Sequence, residues 1–342
     1  VLLNKYQKIV NQIINIFLIE TINDPLLKEM SLYALEGGKR LRSGLMLDTY
    51  LSAMNNIKII RKDVVENNQV NIDEIKLENL SNQICQFIVC VELLHNASLV
   101  LDDLPSMDND KYRRNRQSIH TKYGRSNANV LAAFFIEHSF HCINMSLEPD
   151  KIDDNLKPMN SFIVYFKKQF MKEMMVATEG QNLDLNVEQI PTKADDDYWE
   201  YYGNCNGINL NLIGMKTAPF FMIAFCGGYL VARIEHCVER SKYLKEDDIK
   251  TMMKRTQIRF DKFKEASYQY SYGFQISDDI LDVDTDNKAN IFSANYSLNV
   301  GLKQARKKMM SSLHNWKKIV SKMSLWTPLM EELFNYIPNR KK

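Results

Sequence analysis

Residues 82–101, NQICQFIVCVELLHNASLVL, hold apolar side chains at helical spacing through several turns and then break at Asp102 and Asp103. The same periodicity recurs over 160–185, 211–234 and 262–283. Alternating strand patterns are rare, and no strand leads into a GxGxxG helix start. Glycine and proline, the residues that punctuate helices, number only 12 and 8 in 342. The pattern predicts an all-α chain: one large helical bundle, read as a single domain over 1–342. Two polar, Asn-rich segments interrupt it, NNIKIIRKDVVENNQVNIDEIKLENL (55–80) and LEPDKIDDNLKPMN (147–160). They read as surface insertions between helices.

Charge narrows the function classes. A formal balance of +2 argues against a chain built to coat nucleic acid or an anionic membrane. The six cysteines (85, 90, 142, 205, 226 and 237) form no CxxC pair and read as free, mostly buried thiols. TAPFFMIAFCGGYLVARI is too interrupted for a membrane span and reads as a core helix carrying a close-packing glycine pair. VLLNKYQKIVNQIINIFLIE is amphipathic, contains Glu20 and has no signal-peptide pattern. The opening Val1 is compatible with an upstream leader cut away.

The chemistry is concentrated in acids and arginines. SLVLDDLPSMDNDKYRRNRQSIHTKYG (98–124) packs Asp102, Asp103, Asp108 and Asp110 against Arg113, Arg114 and Arg116. Acids so crowded repel unless a cation lies among them. YGFQISDDILDVDTDNK (272–288) places Asp278, Asp279 and Asp282 at i, i+1 and i+4. On a helix Asp278 and Asp282 share a face, with Gln275 one turn earlier. A solvated helix end would also tolerate loose acids, but the apolar residues around these argue against it. A calcium loop fails because Asn287 replaces the turn glycine and Ser293 the twelfth-position glutamate. A di-iron bundle wants Glu-x-x-His pairs repeated on several helices, and the VELLH stretch alone does not supply them. Two oxygen-rich clusters on facing helices, with arginines beside one, suit Mg²⁺ and phosphate.

YALEGGKRLRSGL (33–45) adds Lys39, Arg40 and Arg42 after Gly37 and Gly38, where the backbone is able to approach an anion. It lacks P-loop spacing, and alone it reads equally as an exposed basic helix start. His95 lies on nearly the same helix face as Asp102, where a satisfied core histidine is the commoner reading. Lys216 and Thr217 precede an apolar helix and would otherwise read as its cap.

Together these motifs resemble the trans-isoprenyl diphosphate synthases, the farnesyl and geranylgeranyl diphosphate synthase family. EGGKRLRS resembles GGKRLRP, and ELLHNASLVLDDLPSMDNDKYRR resembles the first aspartate-rich motif in its DDxxxxD form. ATEGQNLDL is similar to GQxxDL, MKTA to KT(A/G), and FQISDDILD to the second aspartate-rich motif. The resemblance runs from about residue 30 to 310. It implies an isoprenoid-synthase bundle that condenses isopentenyl diphosphate with an allylic diphosphate. It implies Mg²⁺, three ions per site, held by Asp102, Asp108, Asp278 and Asp282, with Asp103 and Asp279 ligating or supporting. Lys39, Arg42, His95 and Arg114 would hold isopentenyl diphosphate. Arg113, Lys216, Thr217 and Gln275 would serve the allylic substrate, with Lys288 a further candidate. Asp102, Asp103, Asp108, Asp278 and Lys216 would be the catalytic set.

Three departures stand out. Ser43 replaces the usual proline, AAF (132–134) replaces AGD, and DVDTDNKANIFSANY lacks the expected loop glycine. Small Ala97 and Ser98 upstream of Asp102 imply room for a growing chain, hence geranylgeranyl diphosphate, with farnesyl or longer products as alternatives. The resemblance also implies a homodimer. A regulatory subunit of a heteromeric synthase is a second reading, and a terpene cyclase, which would not need both GGKRLR and Arg113–Arg114, a third. The cytoplasm and a plastid-like organelle both suit the composition.

Overall fold

The computed structural model describes residues 2–56, 65–66, 69–147, 157–186, 208–240, 243, 245–288 and 295–340. Much of both predicted insertions, Cys205, the segment before residue 208 and the loop after the second acidic motif lie outside the described residues, as does the Lys288 side chain. The rest is helical, as the periodicity predicts, apart from two short hairpins, Val65–Glu66 (β1) with Gln69–Val70 (β2), and Tyr112–Arg113 (β3) with Arg116–Gln117 (β4). The chain falls into two compact units, residues 1–167 with 227–253, and residues 168–226 with 254–342.

The first unit contains α1 (Leu2–Thr21), α2 (Pro25–Leu35), α3 (Leu41–Asn56), α4 (Asn82–Asp102), α5 (Ile119–Tyr123) and α6 (Arg125–Ser146). It also takes the first residues of α7 (Lys157–Asn186), the last of α8 (Ile208–Arg240) and the start of α9 (Glu246–Lys288). The α1 helix buries Tyr6, Ile9, Val10, Ile13, Ile14, Phe17 and Leu18, a stripe at i, i+3, i+4 spacing. Local chemistry sets the helix starts. Asp24 caps α2 by accepting the Leu27 N–H at 2.7 Å, with Pro25 in the first turn, and Ser81 caps α4 through Ile84 N–H at 3.2 Å.

The α4 helix is buried nearly all round, from Ile84 and Phe87 to Ala97 and Val100, which makes it the centre of its unit. The α6 helix packs along it. The predicted glycine pair of α8 is a close-packing site. A Cβ at Gly227 would meet Phe87 Cε1 at 2.5 Å, and one at Gly228 would meet the Met46 carbonyl oxygen at 2.2 Å. Asn82–Asp102 and Leu210–Arg240 are long and apolar enough to cross a membrane by length and composition, but are 67% and 89% buried within the protein, as core helices are.

The second unit holds the remainder of α7, α8 and α9, then α10 (Tyr296–Val300), α11 (Leu302–Lys322), α12 (Pro328–Tyr336) and a 3-10 turn, Ile337–Asn339. An aromatic cluster forms its core: Phe221–Tyr270, Tyr270–Trp316 and Trp316–Trp326 have ring centroids 4.7, 4.6 and 4.7 Å apart. Each such pair adds roughly 0.5–1.5 kcal/mol beyond its buried area. Gly180 lets α7 cross α8 closely, since a Cβ there would meet the Lys216 backbone nitrogen at 2.6 Å. That crossing brings Asp184 to Lys216. The five described cysteines are free, four of them buried.

Candidate active site

In the first unit the basic turn is folded around its own arginines. The α2 helix ends at Leu35, Gly37 takes a φ of +77°, and α3 begins at Leu41. Gly38 leaves room for guanidinium groups, because a Cβ there would meet Arg40 Nη1 at 2.9 Å and Arg114 Nη2 at 3.3 Å. Arg40 is not part of an exposed basic helix start. It is 6% exposed and donates to Glu92 Oε2 at 2.8 Å, to Asn11 Oδ1 at 2.8 Å and to the Leu35 carbonyl. Ser43 donates to the other Glu92 oxygen at 2.6 Å. Arg40 therefore bolts the turn to α4, while Lys39 beside it is exposed.

Arg42 donates to His95 Nε2 at 3.1 Å. Burial, and then the surrounding Arg42, Arg114, Arg40 and Arg113, hold the His95 pKa well below the usual histidine range. The ring is thus neutral at physiological pH and able to accept that bond. Arg114 and Asn115, with φ of 53° and 60°, form the two-residue tip of the β3–β4 hairpin. Positive φ at both positions is the geometry such tips require, at a cost of about 1–3 kcal/mol per non-glycine residue. Arg114 is held by the carbonyls of Glu36 at 3.0 Å and Ala34 at 3.3 Å, with Asn96 Oδ1 at 3.5 Å. Burial and the neighbouring Arg40 lower its pKa. Cations gathered this closely favour an anion.

The first acidic motif is a compact turn at the end of α4. Asp102 is the last helical residue, and its carbonyl accepts the Asp108 N–H at 2.9 Å, so the chain folds Asp108 back toward Asp102. Asp102 is half-buried and Asp108 exposed. Asp103 is 3% exposed, and Arg113 clasps it, Nε donating to Oδ1 at 2.8 Å, with Asp110 3.5 Å from the same guanidinium. Burial raises the Asp103 pKa and Arg113 offsets part of the rise. A cavity beside the hairpin is lined by Tyr33, Asn96, Asp103, Arg113, Arg114 and Arg116.

In the second unit, Asp279 is an anchor. It is 8% exposed and accepts from Gln275 Nε2 at 3.1 Å and from the Tyr296 N–H at 2.9 Å, while its carbonyl takes Asn295 Nδ2 at 2.9 Å. These bonds fix the start of α10 against α9. Asp278 and Asp282, one helical turn apart, are half-buried, and Asp278 is ion-paired with Arg340. Lys216 Nζ lies 2.6 Å from Asp184 Oδ2, and Thr217 beside it is 9% exposed.

The sequence reading missed three partners: Glu92, Asp184 and Arg340. Asp184 was legible in GQNLDL, whereas nothing local flags the other two. Among the described residues no group of three or more His, Cys, Asp or Glu side chains is gathered to cage a metal. The donor set is nonetheless hard oxygen, in carboxylate pairs. That fits Mg²⁺, which is commonly held by one or two carboxylates, water and substrate phosphates instead of an all-protein cage.

The sequence matches the polyprenyl synthetase family over residues 24–291. The chain belongs to that family, the trans-isoprenyl diphosphate synthases, and the activity that goes with membership is condensation of isopentenyl diphosphate with an allylic diphosphate. It is 28% identical to the farnesyl diphosphate synthase of Buchnera aphidicola, over 83% of this chain and 81% of that protein. It is 24% identical to a trans-prenyltransferase of African swine fever virus, over 73% of this chain and 62% of that protein. The fold matches the crystal structure of a geranyltranstransferase from Thermotoga maritima, with a TM-score of 0.65, 20% identity and 98% coverage of both chains. The all-α bundle expected from periodicity is thus the isoprenoid-synthase fold.

Proposed function

We propose that this chain is a Mg²⁺-dependent prenyltransferase whose main product is farnesyl diphosphate. The observation that carries the catalytic reading is the pairing of a cation-rich basic turn with an acidic turn on one helix, α4. Lys39, Arg42, His95 and Arg114 hold isopentenyl diphosphate, and Arg113, Lys216, Thr217 and Gln275 serve the allylic diphosphate. Asp102, Asp108, Asp278 and Asp282 hold the magnesium, three ions per loaded site. Magnesium held by these carboxylates would neutralise charge developing on the departing diphosphate. Arginine and lysine donors add preorganised stabilisation of the same charge.

Neutral His95 supports Arg42 without adding a proton donor of low pKa near the carbocation. The apolar wall of α4 keeps water from that cation. The proton lost after condensation goes to the released diphosphate, so no side-chain base is required.

Chain length is where the reading moves away from geranylgeranyl diphosphate. Small Ala97 and Ser98 argue for a deep tunnel, but α6 lies along α4 and carries a fully buried Phe135 beside the half-buried Phe134. The farnesyl name of the Buchnera relative supports the shorter product. A homodimer fits the exposed Val130 and Met145 on α6.

The test is purified protein with labelled isopentenyl diphosphate and separate C5, C10 and C15 allylic partners. Elongation of C5 and C10, stopping at C15, is expected. Turnover only after another chain is added supports the regulatory-subunit reading instead, and cyclic hydrocarbon would overturn the assignment.

A further inference from the structure

Two buried arginines of this protein are treated very differently. Arg40 has its Nε, Nη1 and Nη2 all bonded, to Asn11, Glu92 and the Leu35 carbonyl. Arg340 is comparably buried, with 8% of its side chain exposed, yet its Nε finds no acceptor among the described residues. Its recorded polar partner is Asp278, and its guanidinium lies 4.8 Å from the centre of the Phe274 ring. A guanidinium locked in for stability saturates its donors, since an unmet buried N–H costs free energy. Arg340 has the features of a cation parked on a carboxylate.

The way it is mounted supports the same reading. The 3-10 turn that precedes it is pinned to α9 beside the acid, with Ser277 Oγ donating to the Ile337 carbonyl at 2.8 Å. Ile337 is 1% exposed and Ser277 4%. Arg340 itself follows in extended conformation, φ −60° and ψ 143°. The turn is therefore fixed, and a long side chain reaches back from it onto Asp278. Rotation about side-chain bonds alone would free the carboxylate, which is already 36% exposed.

We propose that Arg340 stands in for a divalent cation at Asp278 and has to leave that carboxylate before magnesium binds there. The proposal rests on the assignment of Asp278 as a metal ligand. It makes the Arg340 side chain, mounted on the fixed turn at Ile337–Asn339, a gate on metal loading: the ion pair neutralises Asp278 while metal is absent, and its exchange couples metal binding to release of the guanidinium. The released group, with its spare donors, is then available to a phosphate oxygen. If the ion pair holds about nine of ten molecules, the apparent metal affinity is about tenfold weaker than that of the open state.

The experiment uses the full chain and Mn²⁺ as the probe. Binding is measured by electron paramagnetic resonance of free Mn²⁺, with circular dichroism as the folding check on every variant. Arg340→Gln is expected to tighten Mn²⁺ binding by about three- to tenfold, while Arg340→Lys, which keeps a cation, stays near wild type. Arg340→Met keeps packing on Phe274 with no donor and must show the same tightening, so it serves where Gln does not fold. Asp278→Asn is expected to weaken binding and to abolish the difference between Arg and Gln at 340. Unchanged or weaker binding in both Arg340→Gln and Arg340→Met, with Asp278→Asn still weakening it, overturns the gate and leaves the metal assignment standing. No effect of Asp278→Asn in any background removes the metal assignment itself.

Discussion

Ser43 Oγ and Arg40 Nη1 grip the two oxygens of one carboxylate, Glu92, at 2.6 and 2.8 Å. Serine stands where relatives sharing the GGKRLRP motif are expected to carry proline, and the bond gives it a structural use. Glu92 is 2% exposed, so replacing it strands the Arg40 charge. Glu92→Ala should destabilise the protein by about 3–5 kcal/mol, and Ser43→Ala by about 1 kcal/mol. Urea unfolding of both variants checks this. Equal small losses would mean that the pair is not a bolt.

What could be read in advance followed from local pattern. The α4 helix and its break at Asp102 are visible in 3.6-residue periodicity, and the two acidic clusters are visible as runs. The glycine pair of α8 is legible because small residues in an apolar helix mark a close crossing. The basic turn leaves Arg40 open between an exposed helix start and a ligand site, because its partner lies 52 positions away and charge balance across that distance leaves no trace in a window of sequence. Arg340 is separated from Asp278 by 62 positions and was invisible for the same reason. Helix geometry puts Gln275 near the Asp278 face, yet its amide goes to Asp279, four residues on.

Gly228→Ala should cost more than Gly301→Ala. At 228 the new methyl group meets a backbone carbonyl, which has no rotamer to escape through, whereas at Gly301 nothing lies within 4 Å. The cost at 301 is conformational only, from a φ of +83°. Overpacking costs typically about 1–3 kcal/mol and occasionally more, and the backbone contact puts Gly228→Ala at or above the upper end, against about 1–3 kcal/mol of backbone strain at 301. Thermal melts of the two variants give the comparison. A smaller loss at 228 than at 301 would contradict the packing.

The depressed His95 pKa makes a stability prediction with a definite sign. The unfolded histidine takes up a proton near pH 6.5, while the folded one does so only well below. Between those values the unfolded state binds more protons, so acidification removes stability. The contribution is fully present above pH 6.5 and falls by up to ~1.4 kcal/mol per pH unit below it. His95→Gln keeps an acceptor for Arg42 and removes the titration. Urea midpoints at pH 7.5 and 5.5 should therefore fall less in His95→Gln than in wild type. Parallel losses would place the titration elsewhere.

Asp102→Ala and Asp278→Ala should each lower kcat by about 100-fold or more with helical content nearly unchanged, because both side chains are only half-buried. Raising Mg²⁺ should recover part of the loss in single variants and none in the double variant. Near-wild-type turnover of both single variants at saturating Mg²⁺ would sink the metal assignment.

Product length gives the last prediction. Ala97 is 2% exposed on α4, and Ser98 turns its hydroxyl back to the His95 carbonyl at 2.9 Å, so neither projects an aromatic ring from α4. A growing prenyl tail gains about 0.8 kcal/mol for each buried CH₂, which favours extension until something large stands in the way. Phe135 on α6 has no exposed surface, and α6 runs along α4. If this ring closes the floor, wild type stops at C15, and Phe135→Ala shifts product to C20 and beyond while metal-dependent condensation persists. The same substitution costs about 3–5 kcal/mol of stability, so Phe135→Leu, which empties less volume, is the control and should give a partial shift. Ala97→Phe should leave a C15 product unchanged or shorten it. The readout is chain length of the dephosphorylated alcohols by chromatography. A wild-type product mainly of C20, shortened to C15 by Ala97→Phe, would return the decisive position to α4, and Phe135→Ala without longer products would remove α6 from the floor.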